Sequence, residues 1–136
     1  MDRDVMRQRV FADPNARLQL ETIIHPLVNA EAARQTETAR CSGCTLVVFD
    51  IPLLVESRRW LQQLDKVLVV DCVEATQISR VMLRSGWTQV MVENVMAQQA
   101  TRAQRLAAAD LVIYNEGLTL DELAGQVSEI MHRITL

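Results

Sequence analysis

Three short stretches of the chain are unbroken and apolar, and rich in β-branched residues: Leu46-Val47-Val48-Phe49, Val67-Leu68-Val69-Val70 and Leu111-Val112-Ile113-Tyr114. Runs of this length without polar alternation predict strands buried on both faces, the habit of parallel sheets. The segments between them carry helical spacing, as the crossovers of a parallel sheet require. The last is the clearest: Leu120, Leu123, Ala124, Val127, Ile130, Met131 and Ile134 recur at i, i+3, i+4, i+7. Thr119 and Glu122 are spaced as a capping box, and Arg133 falls in the last turn. This helix should lie flat on the sheet. Ahead of the first run, Val5, Met6, Val10 and Phe11 predict a short helix, and Asp13-Pro14 the N-cap and first turn of another. His25-Pro26 should interrupt that second helix, because the residue before a proline is pushed away from α geometry, and a third helix should run from about Pro26 to Arg40. The stretch from Val73 to Asp110 is too long for an ordinary crossover. It carries at least two helical patterns parted around Ser85-Gly86, and so predicts a helical excursion from the sheet.

Composition narrows the class. With 136 residues, 49% of them hydrophobic, the chain can bury one ordinary core, so it is one domain or part of one. Fourteen Lys+Arg against 17 Asp+Glu leave a net charge of −3 and no basic footprint, which disfavours DNA or RNA as a partner. No apolar run approaches the ~20 residues of a membrane span. The start, Met1-Asp2-Arg3-Asp4, is charged where a signal peptide would be apolar, so the expected location is cytoplasmic, with no membrane partner. Three cysteines argue against a disulfide scaffold. Cys41-Ser42-Gly43-Cys44 is a single CxxC. Cys72, His25 and His132 supply no second ligand pair, so no metal site is expected and the CxxC reads as a solvated loop.

Each apolar run ends in a polar residue, Asp50, Asp71 and Asn115 in turn, which places polar groups at the sheet edge where open α/β folds bind ligands. The competing role for such residues is to end a strand and cap the next turn. Residues 74–109 hold Arg80, Arg84, Arg102 and Arg105 against Glu74 and Glu93, a locally positive segment in an acidic chain. Arg80 and Arg84 share one helix face, apart from Ile78, Val81 and Met82, and neither has a carboxylate four residues away on the same helix. That pattern suits a phosphate, and it equally describes an ordinary solvated face.

Several phrases, in order and at matching intervals, resemble the dephospho-CoA kinase family. They are Asp2-Arg3 through Met6-Arg7, Val10-Phe11-Ala12-Asp13-Pro14, His25-Pro26-Leu27-Val28 and Asp50-Ile51-Pro52-Leu53-Leu54-Val55-Glu56. After them come Asp65 through Asp71, Gln77-Ile78 through Arg80, and the run from Gln99 through Arg102, Arg105-Leu106, Ala109-Asp110 and Val112-Ile113 to Asn115 and Gly117. The resemblance covers nearly the whole chain. It implies an α/β, three-layer P-loop-kinase-like parallel sheet with a helical CoA-substrate region over residues 1–40 and a helical lid over 74–109. It also implies ATP-dependent phosphorylation of the ribose 3′-hydroxyl of dephospho-CoA, the last step of coenzyme A synthesis, with Mg²⁺ accompanying ATP. On this resemblance Arg80 is similar to the lid arginine that contacts the nucleotide, with Arg84 adding charge near the phosphates, and Asn115 and Gly117 to the loop beside the adenine. Arg3, Arg7, His25 and Pro26 fall on the acceptor side, and Asp50, Pro52 and Glu56 on the site edge. For His25 a purely structural, helix-breaking role competes, and for Glu56 a capping role or a pairing with Arg59.

One part of the family pattern is absent. A P-loop needs Gly-x-x-x-x-Gly-Lys-Ser/Thr to wrap phosphates in backbone N–H groups. The glycines are Gly43, Gly86, Gly117 and Gly125 and the sole lysine is Lys66, so no such motif fits. The resemblance implies that the P-loop and the catalytic aspartate precede Met1, that the fold is incomplete at its N-terminus, and that no catalytic residue lies in these 136. They are then expected to be inactive as a kinase alone, and an uncovered sheet edge predicts self-association. The alternative is a non-catalytic module that binds dephospho-CoA or regulates a full enzyme. Two smaller departures are Ser85, where the family often has Asp, and residues 41–44, which replace a stretch usually entering the strand through a proline.

Overall fold

In the computed structural model the described residues are 3–57 and 60–135, with the side chains at 3, 4, 7, 8 and 11 outside the description. The chain divides into two compact units, Met1–Val48 and Phe49–Leu136.

The first unit holds α1 (Arg3–Ala12) packed against α2 (Pro14–Cys41). Asp13 caps α2 as its sequence position predicts: its carboxylate accepts from the Asn15 N–H at 2.8 Å, and Pro14 opens the helix. The expected break at His25-Pro26 does not occur. Pro26 lies inside one 28-residue helix, so the predicted second and third helices are one. A proline removes a single N–H donor, and the turns on either side continue the helix. On its C-terminal side Glu31 and Glu37 each hold an arginine one turn on, at 2.8 and 2.7 Å and at 2.9 and 2.7 Å. At the far end the Gly43 N–H donates to Arg40 and the Cys44 N–H to Ala39, a Schellman closure that spends the last carbonyls of α2.

The expected strand Leu46–Phe49 is not a strand. Residues 46–50 form no sheet hydrogen bonds, and Val48 is 77% exposed. An apolar run becomes a strand only where an edge lies beside it to pair with.

The second unit is α/β. β1 (Leu68–Asp71) and β2 (Leu111–Tyr114) pair in parallel, Leu68 opposite Leu111 and Asp71 opposite Tyr114. Before β1 come α3 (Leu54–Ser57) and a 3-10 turn at Leu61–Gln63, with Trp60 against Phe49 at 5.5 Å between ring centres. Between the strands run α4 (Glu74–Ser85), α5 (Gln89–Met96) and α6 (Arg102–Ala107), which is the excursion expected from the length of that segment. Its first break falls at Gly86, whose φ of +67° ends α4 in the left-handed conformation that glycine adopts without penalty. α7 (Leu120–Thr135) follows β2 behind the predicted capping box, in which the Thr119 N–H and hydroxyl both donate to Glu122 at 2.8 Å.

Among the described residues the buried apolar core belongs to this unit: Val67, Cys72, Val92, Ile113 and Ile130. The strands are not buried on both faces as their composition suggested. Leu68, Val70, Val112 and Tyr114 are all more than one-third exposed. Two strands make a narrow sheet, against which α6 approaches β1 and α7 packs on β2. For the same reason only part of the α7 stripe is covered: Ile130 is buried, whereas Leu120, Val127 and Met131 face outward. No helix among the described residues is long and apolar enough to cross a membrane.

Candidate functional site

The two edges of the small sheet differ in chemistry. At the amino edge Asp110 closes the structure: its carboxylate accepts from the Val67 N–H at 2.8 Å, with Lys66 at 3.5 Å, and its own N–H returns to the Val67 carbonyl. That backbone donor, with Lys66 beside it, holds the Asp110 carboxyl below its usual range.

The carboxyl edge gathers the charged residues. Asp71, the last residue of β1, is 5% exposed and receives Arg102 in a forked contact, Nε at 2.9 and 3.0 Å and Nη2 at 2.6 Å. Hydrogen bonds from Arg102 hold the Asp71 carboxyl below its usual value, against burial, which acts the other way. The same guanidinium sits 6.0 Å from the centre of the Tyr114 ring, so α6 is tied to both strands through one side chain. Arg105, one turn on, donates to the Ala100 carbonyl at 2.7 Å, while the Ala100 N–H donates to Glu56 at 2.7 Å. The peptide that leads into α6 is thus gripped from both sides. Thr101 and Gln104 then complete a capping box at the helix start.

The loop after β2 reaches back to α4. The Asn115 N–H donates to the Asp71 carbonyl at 2.8 Å, and Gly117 turns the chain with φ +65°, a conformation that L side chains rarely adopt. Between them, Glu116 accepts from the Val73 N–H at 3.1 Å and from the Thr76 hydroxyl at 2.6 Å. The Thr76 bond is the main cause that lowers the Glu116 pKa from its ordinary value, followed by the Val73 N–H and the charges of Arg80 and Arg102.

The sequence-predicted residues fall as follows. Arg80 and Arg84 are exposed on α4, and among the described residues neither guanidinium makes a hydrogen bond or ion pair, although the charge of Arg80 reaches Glu116. Arg80, Asn115 and Gly117 lie near one another through Glu116. Glu56 accepts from the Ala100 N–H, one residue ahead of the Thr101 N-cap of α6; Arg59 lies outside the described residues. Asp50 and Pro52 are exposed in the segment leading into α3. His25 and Pro26 are exposed on α2, in the other unit, and the side chains of Arg3 and Arg7 lie outside the description. Cys41 and Cys44 are free and exposed, and Cys41 donates to Glu37 at 3.4 Å. Among the described residues no three His, Cys, Asp or Glu side chains converge as a metal site requires.

Sequence reasoning missed the parts that organise the edge: the Asp71–Arg102 pair, the Arg105 grip and Glu116. Two signals were available. Val73 stands where α4 needs a capping side chain and cannot supply one, so the cap must come from elsewhere in the chain. Glu116 is the acidic residue within the loop that the resemblance had singled out.

Comparison with known proteins adds the following. The family model described as CoaE, dephospho-CoA kinase, matches residues 1–121. A dephospho-CoA kinase of Albidiferax ferrireducens is 53% identical over 136 residues, all of this chain and 64% of that protein. One from Burkholderia pseudomallei is 48% identical over 133 residues, 98% of this chain and again 64% of that protein. The chain therefore spans just under two thirds of the length of these relatives. Among solved structures, a dephospho-CoA kinase from Campylobacter jejuni superposes with a TM-score of 0.70 at 22% identity, over 99% of this chain and 66% of that one. The protein TT1252 from Thermus thermophilus gives 0.74 at 28% identity, over 99% and 68%.

Proposed function

The chain belongs to the dephospho-CoA kinase family, and on that premise we propose that its residues serve the ATP-dependent phosphorylation of the 3′-hydroxyl of dephospho-CoA. In this reading Arg80 and Arg84 hold the phosphates of ATP, Asn115 and Gly117 border its adenine, and residues 74–109 close over it as a lid. Arg3, Arg7, His25 and Pro26, within residues 1–40, meet the acceptor, and Asp50, Pro52 and Glu56 shape the edge between sheet and helices.

The observation that carries this reading is the pair of unpartnered guanidinium groups on α4 beside a carboxyl sheet edge whose own acidic groups are already committed. Asp71 is paired with Arg102, and Glu116, which holds Val73 and Thr76, feels the charge of Arg80 without a hydrogen bond to it, so the side-chain N–H groups of Arg80 and Arg84 stay available to a ligand. A transferring phosphoryl group carries spread negative charge that planar guanidinium forks suit, and a closing lid excludes water from it.

Phosphoryl transfer depends on positioning the β- and γ-phosphates, and these 136 residues contain no Gly-x-x-x-x-Gly-Lys-Ser/Thr. They are therefore expected to show no measurable kinase activity alone. The test is a calorimetric titration of dephospho-CoA into the chain after a cooperative melt is confirmed, with ATP titrated separately. Saturable dephospho-CoA binding, weakened by His25→Ala, is the expected result, with ATP binding far weaker. Absence of dephospho-CoA binding by a cooperatively folded chain overturns the acceptor assignment. Sedimentation at several concentrations tests self-association, for which a single monomer species throughout is the contrary outcome.

A further inference from the structure

We propose that Glu116 is a positioning residue that couples the Asn115–Gly117 loop to the start of α4, so that Arg80 and the loop are presented as one unit. The proposal deepens the nucleotide site proposed above and rests on that reading for its functional meaning.

The first N–H groups of a helix have no partner within it, and a side chain at the N-cap normally satisfies one of them. Val73 holds that position, in extended conformation, with no oxygen to offer. Glu116 comes from 43 residues further along the chain and takes the N-cap N–H itself through Oε2, while Oε1 takes the Thr76 hydroxyl in the first turn. One carboxylate therefore takes the N-cap N–H, as the acidic residue of a local capping box would, but from the loop of β2.

The placement has a mechanical consequence. Asn115, next to Glu116, is pinned by its N–H to Asp71 at the end of β1, and Gly117, on its other side, turns the chain away. Val73 lies two residues beyond Asp71 on the same strand exit. Loop and helix start thus share a single frame, built on the end of β1 and closed by Glu116. Arg80 stands four residues beyond Thr76 on α4, about one turn on and on the same side. A local cap would hold α4 helical and leave its direction relative to the loop free. A cap supplied by the loop fixes both together.

That difference makes the proposal testable without ligand. The reporters are two amides whose bonds are known: Gln77, which donates to the Val73 carbonyl in the first turn of α4, and Asn115, which donates to Asp71. Their hydrogen exchange is measured by NMR in the native chain, in Glu116→Gln, and in Glu116→Gln combined with Val73→Asp, which supplies a cap from α4 itself. Loss of a cap is expected to speed exchange at both amides in Glu116→Gln by roughly fivefold to tenfold. In the double variant Gln77 returns to its native rate while Asn115 stays fast. If Asn115 is unchanged in Glu116→Gln, or if Val73→Asp restores both amides, Glu116 is only a distant helix cap and the proposal is overturned. Excess ATP is then added as a probe of the site. Coupling predicts that it shifts the Arg80 and Asn115 signals together in the native chain, and that the joint response is lost in the double variant despite its repaired helix. If ATP shifts neither signal in the native chain, the nucleotide reading of this edge fails, and the ligand-free exchange still decides the coupling.

Discussion

Among the described residues of the unit from Met1 to Val48 the side-chain ion pairs run along a single helix: Arg17 to Glu21, Arg34 to Glu31 and Arg40 to Glu37, all exposed and three or four residues apart. In the unit from Phe49 onward, bonds of similar length join residues 31 to 44 positions apart, from Asp71–Arg102 to Glu56–Ala100. The core follows the same division, since every buried residue described belongs to the second unit, while Leu18, Ile23, Leu27 and Val28 of α2 are all more than half exposed. The first unit is held by local helix chemistry, and the second by ties that exist only once distant segments have met. Local bonds reform wherever the helix reforms. Long-range ones are lost together, so the second unit should unfold cooperatively and the first should fray.

The largest break of this contrast is expected from Ile113→Ala. Ile113 is 3% exposed, and truncating a residue of this kind costs about 2–5 kcal/mol. The corresponding change at Leu27, 65% exposed, should stay within about 0.5 kcal/mol. Denaturant titration of both variants measures this, and equal effects would erase the distinction between the units.

Next comes Pro26→Ala, with the opposite sign. Restoring an N–H inside α2 should stabilise that helix by up to about 3 kcal/mol, seen as increased helical circular dichroism and slower exchange confined to residues 14–41. If the same change weakens dephospho-CoA binding, Pro26 is kept for the acceptor and not for the helix. A gain spread into the second unit would count against the separate unfolding of the two units.

Gly86→Ala is a smaller, conformational test. A Cβ at Gly86 meets nothing within 4 Å, so the expected cost of about 1 kcal/mol comes from φ +67° alone. It should appear in thermal melts as a shift of a few degrees and in exchange at the end of α4.

The finest test is pH and salt together. The Glu31 carboxyl is pushed down to about 2 by hydrogen bonds from Arg34 and then Gln35, and that of Asp71 is lowered by Arg102. Both are depressed on folding, so each contributes stability that is present above the unfolded carboxylate pKa and lost as pH falls through the folded one. For Glu31 that window runs from about 4.5 down to about 2. Because the Glu31 pair is exposed, about 1 M salt should flatten its share, whereas the share carried by buried Asp71 should persist. Acid titration of Glu31→Gln and Asp71→Asn at low and high salt reads this out, and a salt-insensitive Glu31 would be the contrary result.

Much of this was legible in the chain itself. β2, the Asp13 cap of α2, the capping box at Thr119 and Glu122 and the break at Gly86 follow from spacing and turn chemistry, because each depends on residues a few positions apart. The family was legible too, from ordered phrases. The error at Pro26 came from applying a sound local rule to a helix whose neighbouring turns outweigh one missing donor. The error at Leu46–Phe49 came from reading a strand where composition supplies the residues but not the pairing edge. Residues that make the candidate site were partly visible, Arg80 and Arg84 by their unpaired spacing and Asn115 by its place after an apolar run.

What only the tertiary structure decided is which groups are already committed. That Arg102 belongs to Asp71, that Glu116 serves α4 and that Glu56 holds Ala100 cannot be read from neighbours in sequence, because each partner lies 31 to 44 residues away. The sequence by itself determined the elements and the supply of charge. Folding brought distant donors and acceptors within hydrogen-bond reach at one sheet edge, and so separated Arg102 and Arg105, spent on structure, from Arg80 and Arg84, exposed on α4.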